Sequence, residues 1–440
     1  MSLHAAKINL LTALVLGLGV TAAGRISSNA SVLSASRQEI PPAAPPASPS
    51  APSEAPNAVR LRDEIKIVEG LLSAAPRSGF ADRGAALYFL ADRYLQLGDR
   101  AKALALLQGC VALDEGFDPT DDPEFASLKN DTAFRQLAEQ MRQRYPSVHR
   151  AHIAFTLAQK DLFPEGLAVD ITKRVFYMGN MHLRKIVKIT GTGEVADFVN
   201  PDLYDLMLVL GVHVDPADHS VWCATYPGEK NRSEIVHFDE RGQLIERYTP
   251  PGTGPHSLND LVLRDTREIY MTDTRGNRVY RFDRALHGFT ELKLSRAVFW
   301  PNGITISGDG YVLYIADLLG VVRLDLKTNQ SGDVVPAPHD TLAGIDGLYW
   351  YGGSFVGVQY GTGANRVMRW NLSPHGQRVT SSEVLERGTE LVKNPTTGAI
   401  LDGQFYFIAD TGIDNLDSDG KIVDKTKLDE PLHIAVVPLK

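Results

Sequence analysis

Six short segments of the chain share one pattern: PEGLAVD, VLGVHVD, LNDLVLR, PNGITIS, IDGLYWY and TTGAILD. Each has glycine at its third place except the third segment, which has Asp260 there. Read down the position before that place, the residues are Glu165, Leu210, Asn259, Asn302, Asp346 and Thr397. Four of the six carry a carboxylate or carboxamide on segments that are otherwise apolar. Burying such groups costs several kcal/mol unless each finds a partner, and two carboxylates that converge repel one another. A bound divalent cation answers both difficulties. With oxygen ligands only, and two formal negative charges from Glu165 and Asp346, the set suits a hard cation. Ca²⁺ is the first expectation, with Mg²⁺, Mn²⁺ or Zn²⁺ as alternatives; Zn²⁺ fits less well because the column holds neither His nor Cys. Any one of these residues taken alone reads better as a cap on a strand end, but four in one register favour the metal.

Convergence of that kind needs a ring of strands. The six column positions lie 43 to 51 residues apart. A second strand follows each segment: VFYM, SVWCAT, EIYMTD, VLYIAD, SFVGVQ and QFYFIAD. Five of these repeat an aromatic residue in one register, at Tyr177, Trp222, Tyr270, Tyr314 and Tyr406. A third strand follows most of them. Three or four strands recurring every ~45 residues predict β-propeller blades, whose first strands line a central channel. Residues 160–440 hold six such units, and AHIAFTLA at 151–158 is expected to supply the outer strand of the last blade, removing two exposed edges. A β-sandwich would give no reason for the regular spacing.

Upstream the texture differs. Residues 1–23 read as an export signal: Lys7, then an apolar run, then small residues suited to cleavage. They place the protein in the periplasm or outside the cell, with an uncleaved membrane anchor as the alternative. Residues 24–56 read as a disordered linker rich in Pro, Ala and Ser. Residues 57–147 carry helical periodicity, with Leu61, Ile65, Val68 and Leu72 on one stripe. Within them, AALYFLADRYLQLGDRAKALALLQGCVAL predicts two helices meeting at Gly98-Asp99, similar to a tetratricopeptide pair with Ala103 at the close-packing place. DDPEFASLKNDTAFRQLAEQM predicts a further capping helix. The segment is expected to be either a docking platform for a protein partner or a spacer packed on the next domain. The expected architecture is thus an all-β six-bladed β-propeller over 151–440, preceded by a small α-helical, tetratricopeptide-like domain. The net charge of -8 and the absence of basic clusters exclude nucleic-acid binding. Cys110 and Cys223 both sit in apolar runs and read as buried free thiols rather than a disulfide.

The motifs FPEGLAVD, LNDLVLRDTREIYMTD, FWPNGITISGDGYVLYIAD and GIDGLYW, in this order and spacing, resemble the SMP-30/gluconolactonase family of regucalcin-like propellers over most of 160–440. More distantly the chain resembles paraoxonases and strictosidine-synthase-like proteins. The family resemblance implies a divalent metal held by Glu165, Asn302 and Asp346, with Asp346 as general base and Asn259 touching substrate or a water. The chain departs from the family at Ile345, where proline is common, and in the short hairpin after Asp346. It also offers no confident match for the family's substrate-contacting arginine; His256 is the nearest polar candidate for substrate binding.

The expected chemistry is metal-dependent hydrolysis of a lactone or small ester, with Asp346 or a nearby histidine taking a proton from water. His213, three places beyond Leu210, reads as structural, and His256 divides evenly between function and structure. Asp273, Asp317 and Asp410 end second strands and read as turn residues. No Gly-x-Ser-x-Gly elbow supports a serine nucleophile. The alternatives are a non-catalytic propeller with a structural ion that binds a ligand or a protein partner, and a strictosidine-synthase-like scaffold. The latter ranks low, because Thr397 stands where that chemistry would need a carboxylate.

Overall fold

The protein is described here as a computed structural model of residues 56–440, apart from 75–81, 121, 229–231, 362–364 and 429–430. The expected export signal, and all of the expected linker except Pro56, lie outside the described residues. Among those residues, no helix is long and apolar enough to cross a membrane.

The strands form six four-stranded antiparallel sheets, the blades of a β-propeller. Their first strands are Pro164–Asp170, Leu208–Val214, Leu258–Leu263, Ile304–Ile306, Ile345–Tyr351 and Gly398–Leu401, in blades 1 to 6. Each lies beside the first strand of the next blade, and the sixth returns to the first, so together they surround the channel. Blade 6 takes its outermost strand from the beginning of the propeller: His152–Leu157 pairs antiparallel with Leu432–Pro438. That pairing closes the ring, as the 151–158 segment predicts.

The glycine of the repeat has a steric cause. A Cβ on Gly166 would stand 2.1 Å from the Leu210 carbonyl oxygen, and one on Gly303 would stand 2.3 Å from that of Asp346. Neighbouring channel strands therefore meet backbone to backbone, which only glycine allows. The recurring aromatics fill the space between blades. Trp222 of blade 2 packs on Phe282 of blade 3 at 6.3 Å, Tyr314 of blade 4 stacks on Trp350 of blade 5 at 5.8 Å, and Tyr406 of blade 6 meets Phe176 of blade 1 at 4.9 Å.

Ahead of the propeller stand helices α1 (Pro56–Ala74), α2 (Arg83–Gln96), α3 (Arg100–Leu113) and α4 (Thr132–Arg144). Leu61, Ile65 and Val68 of α1 are buried, as the periodic stripe predicts. Gly98 turns the chain between α2 and α3 with φ 86°, a left-handed conformation that favours glycine, and Ala103 is fully buried. The expected single capping helix is split into a 3-10 turn, Pro123–Leu128, and α4, because Asp122 and Asp131 each cap a new start.

The helices share a hydrophobic core with the propeller. Phe89 of α2 packs edge-on against Phe299 and Trp300, and the same cluster contains Leu319 and Ala343. Asp82 joins the two parts. Its carboxylate caps α2 through the Ala85 N–H and also accepts from the Leu342 N–H and the Thr341 hydroxyl. Burial pushes its carboxyl up to about 7. Cys110 and Cys223 are buried free thiols, and burial raises the pKa of both.

Candidate functional site

The channel mouth opens into a cavity of about 160 Å³ lined by Glu165, Asn259, Asn302 and Asp346. The structure thus brings together the four oxygen-bearing column residues from four blades. Leu210, the column residue of blade 2, lines the same cavity. Glu165, Asn259 and Asp346 are each at least nine-tenths buried.

Their strand geometry is not regular. In blades 1, 2, 3 and 5 the pairing of first and second strands slips at the column, between Pro164 and Leu167, Val209 and Val212, Leu258 and Leu261, and Ile345 and Leu348. A bulge of this kind re-aims a side chain and kinks the strand. In blade 4 the paired strand begins only at Ile304, so Asn302 stands just outside it.

Bonds between blades fix the column residues. The Thr272 hydroxyl of blade 3 donates to the Asn302 carbonyl at 2.7 Å, and the Asn302 N–H reaches Ala316 at 2.9 Å. The Asn259 amide nitrogen donates to the Thr274 hydroxyl at 3.0 Å, which in turn donates to the Pro301 carbonyl at 2.7 Å. That leaves the Asn259 carboxamide oxygen as the end suited to a ligand. Thr397, the column residue of blade 6, is not among the lining residues; its hydroxyl donates to the Glu165 carbonyl, as does that of Thr396.

A second recurring device steadies the loops leading into the channel strands. In four blades, the last residue of the second strand, or one just past its end, bonds to the residue three places before the column. Asp317 accepts from the Phe299 N–H at 3.0 Å, the Gln359 amide donates to the Ala343 carbonyl at 2.6 Å, and Asn394 donates to Asp410 at 3.3 Å. In blade 3 the corresponding pair is His256 and Asp273, with Nδ1 donating to the carboxylate at 2.6 Å. His256, weighed evenly from sequence, therefore occupies a clamp position and is absent from the cavity lining. Asp273 is fully buried and also accepts from the N–H groups of Ser257 and Gly276. Replacing it with alanine leaves these donors unpaired. The expected cost is about 2–4 kcal/mol, checked by denaturant unfolding. His213 is desolvated, which pushes it down to about 4, so it is neutral near pH 7.

The sequence pattern assigns no role to three features near the column. Asp260, which breaks the glycine pattern, accepts from the Ile304 N–H of blade 4 at 3.3 Å. Burial lifts its carboxyl to about 7, and the nearby Asp346 carboxylate adds to the rise. The Tyr349 hydroxyl lies 2.8 Å from where a Gly347 Cβ would stand and accepts from the Gly398 N–H, bridging the first strands of blades 5 and 6. Above the mouth, α2 and the Phe117–Phe125 stretch roof the cavity with Tyr88, Phe89, Asp92, Arg93, Phe117 and Phe125. The Arg93 guanidinium, 1% exposed, pairs with Glu64 at 2.7 Å and with Asp92, and lies over the Phe89 ring at 4.3 Å. Burial, followed by the neighbouring Asp92, pushes Glu124 up to about 8.

The donor set at the mouth fits a hard divalent cation. It offers two carboxylates and two carboxamides, three on channel strands and Asn302 just before one, with no nitrogen or sulfur ligand in the column. Among the described residues, no cluster of three or more His, Cys, Asp and Glu side chains is placed to hold a metal. A cation here would therefore have to draw on carboxamide oxygens.

No family model matches the chain, and no curated protein matches it. Solved structures with a similar fold include a gluconolactonase from Xanthomonas campestris, at 15% identity and TM-score 0.47 over 66% of this chain and 90% of that one. Another is a calcium-binding regucalcin from Agrobacterium tumefaciens, at 15% identity and TM-score 0.45 over 65% and 94%. A third is a PQQ-bound aldose sugar dehydrogenase from Streptomyces coelicolor, at 13% and 0.48 over 66% and 99%.

Proposed function

We propose that the protein is a divalent-cation-dependent hydrolase of lactones or small esters, acting at the channel mouth. The observation that carries this reading is the presence of Glu165, Asn259, Asn302 and Asp346, from four separate blades, on the wall of one cavity. Glu165, Asn302 and Asp346 would hold the ion, with Ca²⁺ the first choice. A bound cation of this kind supplies Lewis-acid polarisation of a carbonyl.

The chain's own residues supply the rest. Asp346 is, with Glu165, a carboxylate of the column positions, and it serves as the base that takes a proton from water. Asn259, its nitrogen held by Thr274, orients the reacting group through its carboxamide oxygen. The aromatic roof excludes bulk water, which strengthens each electrostatic contact beneath it. An exported location, proposed from residues 1–23, would suit a calcium site of modest affinity.

The test is hydrolysis across a broad lactone and ester panel, with chelator, after chelator removal, and with added Ca²⁺, Mg²⁺ or Mn²⁺. Turnover that disappears with chelator and returns with one cation is expected. If no member of the panel is hydrolysed while calorimetry shows the ion bound, the reading changes to a binding propeller with a structural ion.

A further inference from the structure

The cavity above the oxygen ring has a largely aromatic roof, whose Asp92 and Arg93 are engaged with one another. Tyr88, Phe89, Phe117 and Phe125 come from the helical region and Trp300 from the loop before Asn302. The one tyrosine among the roof residues has its hydroxyl already engaged, donating to Asp122 at 2.6 Å. Trp300 is held in a left-handed backbone conformation, φ 51°, that a bulky residue adopts only when its surroundings impose it. The Asn277 side chain accepts its N–H at 2.9 Å, and its ring stacks on Phe299 and meets Phe89 edge-on at 5.8 Å. The indole is thus fixed between roof and channel strand.

Charge narrows the ligand further. Among the described residues, Arg93 is the only basic side chain on the cavity wall, and Glu64 and Asp92 already engage it. Away from the ion proposed at the column, an anionic ligand body would meet an excess of carboxylates and a guanidinium that is already paired. A polyhydroxylated ligand would lose its water against aromatic faces, where the nearby Asp92, Arg93 and Asp122 already hold bonds of their own.

We propose that the site takes a lactone or ester with an uncharged, apolar or aromatic body, selected by the Trp300–Phe89 wall and the helical roof, rather than a sugar-type or carboxylated lactone. This rests on the hydrolase reading above and names its substrate class. The test uses binding, not turnover, so the two fail separately. Lactams of one ring size, which resist hydrolysis, are titrated by calorimetry into the calcium-loaded full chain. Four are compared: unsubstituted, phenyl-substituted, polyhydroxylated and carboxylated. The phenyl compound is expected to bind roughly tenfold or more tightly than the hydroxylated and carboxylated ones. Trp300→Ala is expected to reduce phenyl-lactam affinity by roughly tenfold while leaving the unsubstituted lactam within about twofold, which also reports that the variant is folded. Equal or tighter binding of the hydroxylated or carboxylated lactam overturns the proposal, as does a Trp300→Ala loss that is the same for phenyl and unsubstituted compounds.

Discussion

Asp346→Asn should lower kcat/KM for lactone or ester hydrolysis by about 10²–10⁴-fold, the range lost when a positioned base is removed, while leaving the protein folded. The substitution keeps the side chain's shape and replaces a proton acceptor with an amide that cannot serve as a base. The backbone at this position is fixed independently of the side chain: the Asp346 carbonyl packs beneath Gly303, and the Gly347 N–H donates to Thr396 at 3.0 Å. Steady-state kinetics, a melting curve and the calcium content of the variant check it together. Activity within a fewfold of the parent would remove Asp346 from the chemistry. Loss of the folded state together with the ion would make the ion structural.

The second large effect is expected at Arg93, far from the column in sequence. Arg93→Met should destabilise the protein by about 3–5 kcal/mol, because removing one partner of a buried ionic cluster strands the others. Asp92 would be left as a buried carboxylate beside Glu124 with only the Gln96 amide to satisfy it, and Glu64 would keep only Arg60. The methionine would also forfeit the cation–π contacts with Phe89 and Trp300, at 4.3 and 5.5 Å. Arg93→Lys should recover only part of the loss, since an ammonium cannot span the same carboxylates and stack on a ring. Denaturant unfolding measures the change. A shift within about 0.5 kcal/mol would mean that the roof charges remain hydrated, and that the roof does not close the cavity as described.

Asp273→Ala and Asp346→Asn separate two kinds of acidic residue that look alike in the sequence. Asp273 ends a strand in a Thr-Asp pair and reads as a turn residue, yet it is fully buried and organises the loop that carries His256 and Ser257 toward the channel. Its effect is expected on stability. Asp346 lies on the cavity wall, and its effect is expected on turnover. His256 is a useful case of the same ambiguity. Its type and its place near Asn259 suit a catalytic group, but its position matches Phe299, Ala343 and Asn394 in other blades, and all four are held by the end of a second strand.

The ring was legible in the chain because a propeller repeats a local unit. Glycine recurs where channel strands touch, an aromatic recurs where blades pack, and each repeat is read without knowing its neighbours' coordinates. The closing strand at 151–158 and the shared direction of Glu165, Asn259, Asn302 and Asp346 follow from that periodicity. Tertiary structure decided the rest. The bulges at the column depend on how each strand meets the next, and the aperiodic Asp260 takes its place only once blade 4 is packed beside it. The helical region has no repeat tying it to the column, so nothing in its sequence says that Tyr88, Phe89 and Arg93 hang over the channel mouth. That placement comes from long-range contacts such as Asp82 with Leu342 and Phe89 with Phe299. Burial of apolar surface and pairing of buried polar groups select them across the whole chain, and no local pattern encodes that choice.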